Sequence, residues 1–186
     1  AEHPALVPML ANQRPTEANP MLVEDRLDVA FYYDALARDD LVIEPLGEST
    51  ASLYCGREHP LFARRRLTLD DVLAHEFSIA EVGDRGVPMD GWPVEMQRKV
   101  GMQISLLLTN LDVCLCGQFV AVLPDVVALP FRKEKRLRRL PFDLIPPTRL
   151  YVAHRDSEAQ SGRVGRLISA VRVIVEKVDR AVADLR

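Results

Sequence analysis

Thr109 and Asn110 are the residues of this chain best placed to do chemistry. They fall where an apolar run, Gln103 to Leu108, gives way to a helical pattern that reaches Cys116. A strand-to-helix junction offers unpaired backbone N–H groups and the positive end of the helix dipole, which together suit an anion. The plainer reading is that Thr109 or Asn110 only caps the helix. A second group is Phe31-Tyr32-Tyr33, at the end of an apolar strand from Leu27. Open α/β sheets bind ligands at such strand ends. Alternation sends Phe31 and Tyr33 to one face and Tyr32 to the other, so one face packs and the other could meet a ligand. Gln13, after the first apolar segment, is a polar loop candidate.

Other chemistries find little footing. There is no Gly-x-Ser-x-Gly elbow, phosphate loop or dinucleotide glycine pattern. His3, His59, His75 and His154 lack metal-ligand spacing, and His59 before Pro60 reads as a loop residue. Cys55, Cys114 and Cys116 are an odd number at spacings that make neither a disulfide framework nor a zinc knuckle. They point to packing in a reducing cytoplasm. A thiol of the Cys114–Cys116 pair acting with a distant histidine stays open. The expectation is no enzyme, no cofactor and no metal.

Composition narrows the class further. A hydrophobic share of 48% supports a packed core. Lys and Arg number 24 against 27 Asp and Glu, for a net charge of -3, which gives no overall surplus for nucleic acid. The runs Arg64-Arg65-Arg66 and Arg132-Lys133-Glu134-Lys135-Arg136, the latter continued by Arg138 and Arg139, read as solvated loops. No apolar run is long enough to span a membrane.

The elements that must carry these residues alternate. Strands are expected at Ala5–Ala11 (an edge, because of Pro8), Leu27–Tyr33, Leu41–Leu46, Ala51–Cys55, Phe77–Glu81, Gln103–Leu108, Phe119–Leu123, Leu137–Leu140 and Arg149–Ala153. Gly47 marks a bend. Helices are expected from a Thr16 cap to Asp25, from a Thr68/Asp71 capping box to His75, over Trp92–Val100, up to Cys116, for one turn at Asp125–Leu129, and over Glu158–Leu185. Val164, Leu167, Ile168, Val171, Ile174, Val175, Val178, Val182 and Leu185 form the apolar stripe of the last. Such alternation predicts a mostly parallel α/β arrangement.

The phrases Glu58-His59-Pro60-Leu61, Thr68-Leu69-Asp70-Asp71 and Gly117 to Pro124 occur in this order. With Leu22 to Ala30 and Pro45-Leu46-Gly47-Glu48, they resemble the effector-binding domain of LysR-type transcription regulators over nearly the whole chain. The resemblance implies two Rossmann-like subdomains joined by two crossover strands, like a type 2 periplasmic binding protein. Subdomain I would hold residues 1–49 and 147–186, and subdomain II residues 50–146. It implies that a polar or anionic metabolite binds between them, with a carboxylate held at Thr109 and Asn110, and that the chain forms a homodimer or homotetramer. In the dimer the helix near Asn110 to Cys116 would pack on the first helix of the partner. DNA would be met only through an N-terminal helix-turn-helix; set against the family, the expectation is that these residues do not include it, nor the sensing domain's first strand and most of its first helix. Phe119 stands where the family has a second glycine, and so joins the pocket candidates. A cytoplasmic regulator domain is the expectation. A transport solute-binding protein is the alternative, and an enzyme in the same cleft a more distant one.

Overall fold

The computed structural model describes residues 7–33, 37–82, 86–156 and 162–184. The chain divides into two compact units. One holds residues up to Gly47 together with Arg149–Glu176, and the other holds Glu48–Thr148 together with residues from Lys177 on.

The first unit is built on a sheet ordered β1-β8-β2, with β1 at Val29–Tyr32, β2 at Val42–Ser49 and β8 at Thr148–His154. Strands β1 and β8 run antiparallel, with Ala30 opposite Ala153 and Phe31 opposite Val152. Both faces are covered. Helix α1 (Pro15–Val23) packs Ala18 and Leu22 against Ala30, Tyr32 and Ala153. Helix α5 (Gly162–Ala183) packs Val164 and Ile168 against Leu46 and Val152. Along α5 the buried stripe is Val164, Ile168 and Val182 with Val171 and Val175 beside it, while Leu167 and Ile174 remain exposed. Tyr32 donates its hydroxyl hydrogen to Asn19 Oδ1 at 2.9 Å, which satisfies both groups in the core. Arg155 closes the end of α1: its guanidinium donates to the carbonyls of Leu22 and Leu27 and pairs with Asp25 at 2.7 Å.

The second unit has a five-stranded sheet ordered β5-β4-β6-β3-β7. Its strands are β3 (Ala51–Gly56), β4 (Glu76–Ile79), β5 (Lys99–Gln103), β6 (Val120–Pro124) and β7 (Leu137–Arg139). One face carries Leu53, Cys55, Phe77, Ile79, Val120 and Val122, covered by Leu61, Trp92, Leu140 and Val72 of helix α2 (Leu69–Leu73). The other carries Tyr54, Ala121 and Leu123, covered by Leu111 and Cys114 of α3 (Leu107–Leu115) and Ala128 of α4 (Asp125–Lys133). The capping box at α2 forms as its spacing predicts: Asp71 N–H donates to Thr68 Oγ1 at 3.2 Å, and Thr68 N–H to Asp71 Oδ2 at 2.8 Å.

Several expectations need correction. Residues 7–14 form no strand; Val7, Met9 and Leu10 are 84%, 93% and 95% exposed, and no described strand lies beside them to accept their backbone bonds. The start of that expected strand lies outside the described residues. Arg14, not Thr16, precedes α1, because Pro15 with its fixed φ takes the first helical position. β2 continues through Gly47, and the break before β3 falls at Thr50. Trp92–Val100 is not a helix. Its groups are spent elsewhere: Asp90 accepts from Trp92 N–H and pairs with Arg98, the indole N–H donates to Met96 O at 2.6 Å, and Lys99 onward joins β4. The Leu106-Leu107-Leu108 run is the exposed start of α3, not the end of a strand. α4 extends to Lys133, well beyond one turn. Pairing is less parallel than expected: β4 runs parallel to β5 and β6, but β3 runs antiparallel to β6 and β7. The expected start and end of the last helix, Glu158 and Leu185, lie outside the described residues.

Candidate functional site

The site grows from the start of α3. β5 ends at Gln103, and Ile104 N–H still bonds Ile79 O at 2.9 Å. Leu106 then takes an extended conformation as the cap, and its apolar side chain can accept nothing. The first intrahelical bond is Asn110 N–H to Leu106 O at 3.0 Å. The N–H groups of Leu107, Leu108 and Thr109 therefore precede the helical ladder. No acidic residue stands in this first turn to neutralise the dipole. Thr109 and Asn110 are thus not caps. They are the third and fourth helical residues, Thr109 exposed and Asn110 buried.

Asn110 Oδ1 is buried with no hydrogen-bond partner. Ser78 Oγ on β4 is in the same condition. Phe77 and Ile79 face the α2 side, so Ser78 faces the α3 side, opposite Ala121 in the register. Two unmatched polar side chains thus share the layer between α3 and the sheet. Burying such groups unpaired is costly, so this layer holds polar groups whose hydrogen-bonding demand the fold does not meet. Sequence reasoning missed Ser78. Its signal is a hydroxyl in the middle of a buried strand, Phe77-Ser78-Ile79.

The far end of α3 is held by close backbone approach. Gly117, at φ +77°, ends the helix in the left-handed region, and its N–H bonds Cys114 O at 3.0 Å. A Cβ at Gly56 would collide with the carbonyls of Cys114 and Leu115, so β3 passes directly beneath. Next to this contact lies His59, 3% exposed, whose Nδ1 accepts from Leu61 N–H at 3.2 Å. The neutral tautomer then carries its hydrogen on Nε2, which is buried without an acceptor. The ring meets His75 edge-on at 4.6 Å between centroids. Burial, and secondly the His75 charge, push the His59 pKa down to about 4. His59 is therefore a loop residue, as expected, but one buried between β3 and α2.

The other candidates do not gather at α3. Phe119 leads into β6, and its ring lies over Gly101 of β5 beside Glu76. That is the N-terminal end of the parallel strands, whereas α3 begins at their C-terminal end. Phe31 is 39% exposed on the α5 face of the first unit, and Tyr33 is 52% exposed just past β1. Gln13 is exposed in the segment before α1.

Several charged groups elsewhere are structural, and Cys55 and Cys114 pack as expected, but Cys116 is exposed and does not. Arg138 donates to the carbonyls of Leu61, Phe62 and Arg64, each at 2.7 Å, and Arg139 donates to Ser52 Oγ at 2.9 Å. These two end the basic run inside the protein rather than in solvent. Burial pushes the Cys55 thiol up to about 12 and raises that of Cys114 as well. They sit on opposite faces of the sheet, which leaves a poor nucleophile in each. Among the described residues no three His, Cys, Asp or Glu side chains are grouped to hold a metal ion.

The LysR substrate binding domain family matches residues 1–173. The chain therefore belongs to this family: it is an effector-sensing regulatory domain with a periplasmic-binding-protein-like fold. No curated protein matches it. Among solved structures it is similar to the regulatory domain of MetR (NMB2055) from Neisseria meningitidis, with 15% identity, a TM-score of 0.66, and coverage of 92% of this chain and 81% of that one. The CrgA regulatory domain, also from N. meningitidis, gives 15% identity, a TM-score of 0.65, and coverage of 85% and 78%. A C206 mutant of Corynebacterium glutamicum OxyR gives 16% identity and a TM-score of 0.68; the match covers 99% of this chain but 59% of that longer one. At these identities the likeness carries the fold. No helix among the described residues is long and apolar enough to cross a membrane.

Proposed function

We propose that this domain senses a small polar or anionic metabolite, and that the start of α3 holds the metabolite's charged group. The observation that carries this is the uncapped, acid-free first turn of α3, with Thr109 exposed in it. Thr109 supplies a hydroxyl donor. Asn110 Oδ1, buried without a partner, is an acceptor and would take a hydroxyl or N–H of the metabolite rather than its charged group. Gln13, Phe31 and Tyr33 are proposed as further contacts from the first unit, each solvent-accessible there. Phe119 is the weakest of the group, since it sits at the other end of the strands.

In this reading the domain works as a population switch, without catalysis or cofactor. The effector favours one of two conformations because it contacts that one better. Subdomain I is assigned to residues 1–49 and 147–186 and subdomain II to residues 50–146. The chain works in the cytoplasm as a homodimer or homotetramer, and the full regulator meets DNA through a separate helix-turn-helix. Support for self-association comes from the edge strand β5, exposed along its whole length, and from Val100, Met102, Leu106, Leu107 and Leu108, all more than 40% exposed.

Thermal unfolding with a panel of small carboxylates tests the reading. A true effector raises Tm with concentration, by about 2.7 kcal/mol of linkage at 100-fold its Kd. The Thr109→Val/Asn110→Leu variant is expected to unfold cooperatively without that rise. An undiminished rise in the variant rejects the α3 site. Consumption of the carboxylate during incubation would instead mark an enzyme.

A further inference from the structure

The exposed parts of the two basic runs meet on one rim of the second unit. β7 is the outer strand of its sheet, and Leu137 at its start lies opposite Gly56 at the end of β3. Arg57 therefore leaves β3 where Lys135 and Arg136 lead into β7. The loop after β3 is held to the same strand, because Arg138 Nη1 donates to the carbonyls of Leu61, Phe62 and Arg64. That clamp fixes the backbone of the loop, and Arg64, Arg65 and Arg66 are exposed on it. Lys133 and Lys135 are exposed at the end of α4, which covers the other face of the sheet.

Two of these cations are matched: Arg64 pairs with Asp71 at 2.9 Å and Arg136 with Glu134 at 3.5 Å. Among the described residues, no carboxylate lies within ion-pair distance of Arg57, Arg65, Arg66, Lys133 or Lys135. The unmatched exposed carboxylates of the same segments are Glu58 and Asp70. Five cations thus stand against two anions, in a chain whose net charge is -3. Lys135 also holds φ +56°, the left-handed position where a helix end ordinarily takes Gly or Asn. α4 closes there through Lys135 N–H to Arg132 O at 3.0 Å and Arg136 N–H to Phe131 O at 2.8 Å.

A local surplus of this kind attracts a polyanion, and guanidinium groups match phosphate oxygens in pairs. The aromatic ring at this rim, Phe131, is half-buried under the Arg136 guanidinium, 5.1 Å from Cζ to the ring centroid. It is not presented for base stacking, which favours a duplex over a single strand. We infer that this rim contacts the phosphate backbone of double-stranded DNA without reading its sequence. The inference rests on the chain's place in a regulator, but not on the α3 site. Alone, the domain should bind weakly. Joined to a DNA-bound helix-turn-helix, it would meet the duplex at high effective concentration.

The full chain is titrated, with no effector present, into a short labelled duplex of arbitrary sequence at about 20–100 mM salt, and anisotropy is followed. Saturable binding is expected, equal for an unrelated duplex, with log K falling against log salt at a slope of about -3, as three or four neutralised phosphates require. Arg65→Gln/Arg66→Gln removes two exposed cations. It should weaken binding about tenfold or more at the lowest salt and bring the slope about 1.8 nearer zero. Arg163→Gln/Arg166→Gln takes the same charge from exposed positions on α5 and should leave binding within about twofold. Four results overturn the inference: no saturable binding; equal weakening by the α5 variant, which would mean net charge alone; a single strand bound more tightly than the duplex; or displacement of the duplex by polyglutamate at equal charge, which would give the rim to an acidic protein. None of these readings depends on a carboxylate effector, so failure of the α3 site would leave them unchanged.

Discussion

Lowering the pH should unseat His59 before it troubles most of the fold. The ring is buried and neutral, with a pKa of about 4 against an ordinary 6.5. Above pH 6.5 neither folded nor unfolded imidazole carries a proton, and the group has no effect. As pH falls below 6.5 the unfolded chain binds a proton that the folded one refuses, so stability declines. The decline ends near pH 4, where the folded ring also titrates. A gap of about 2.5 units corresponds to about 3 kcal/mol in full, of which about 2 kcal/mol is already lost at pH 5. Urea unfolding at a series of pH values, from neutral to pH 4, measures this. The comparison is His59→Asn, whose side-chain oxygen can still accept from Leu61 N–H but does not titrate. That variant should start less stable, because it leaves space beside His75, and should lose about 2 kcal/mol less than the wild type on going to pH 5. Parallel losses in the two proteins would show that His59 is solvated or already paired, and the argument from its burial would fail.

Other outcomes are expected from the same physics. Arg98→Met should cost about 3–5 kcal/mol in urea unfolding by stranding the Asp90 carboxylate, and adding Asp90→Asn should recover part of the loss. Tyr54→Phe removes the 2.6 Å donor to buried Asp125 Oδ1 and should cost about 1–3 kcal/mol by the same assay. Iodoacetamide should label exposed Cys116 in the native protein and leave Cys55 and Cys114 unmodified until it unfolds, which peptide mass mapping would read. Thr68→Ala should cost about 1 kcal/mol through loss of the α2 cap, measured by thermal unfolding.

Elements whose signals are local could be read from the sequence. The α2 box is two side chains three residues apart, and it formed as spaced. The β1 strand follows from apolar period alone, and so does part of the buried stripe of α5, but Leu167 and Ile174, which share that period, stay exposed. The failures share a different cause. Trp92–Val100 has a plausible helical pattern, but the Asp90–Arg98 pair and the indole-to-Met96 bond are tertiary, and no local propensity announces them. The apolar Val7–Ala11 segment is strand-like in isolation, yet a strand needs a neighbour that propensity does not supply. At the candidate site the sequence found the correct stretch but misplaced the helix start. A run of three leucines looks like a buried strand, whereas here it opens a helix and stays in water. Asn110 was visible as a polar residue at that boundary; that it faces a layer shared with Ser78 depends on which strand α3 lies across.

Strand β5 closes one side of its sheet and, among the described residues, pairs with β4 alone. Along such a strand every second amide hydrogen points outward, away from any protein acceptor. Deuterium labelling of the domain should therefore give both fast and slow amides over Lys99–Gln103, with the alternation broken at Gly101, the extra residue that β5 carries between the partners of Phe77 and Ser78. If a second copy of the chain lies against that rim, the fast positions should slow as protein concentration rises, and the dilution at which they recover would give the dissociation constant of the assembly.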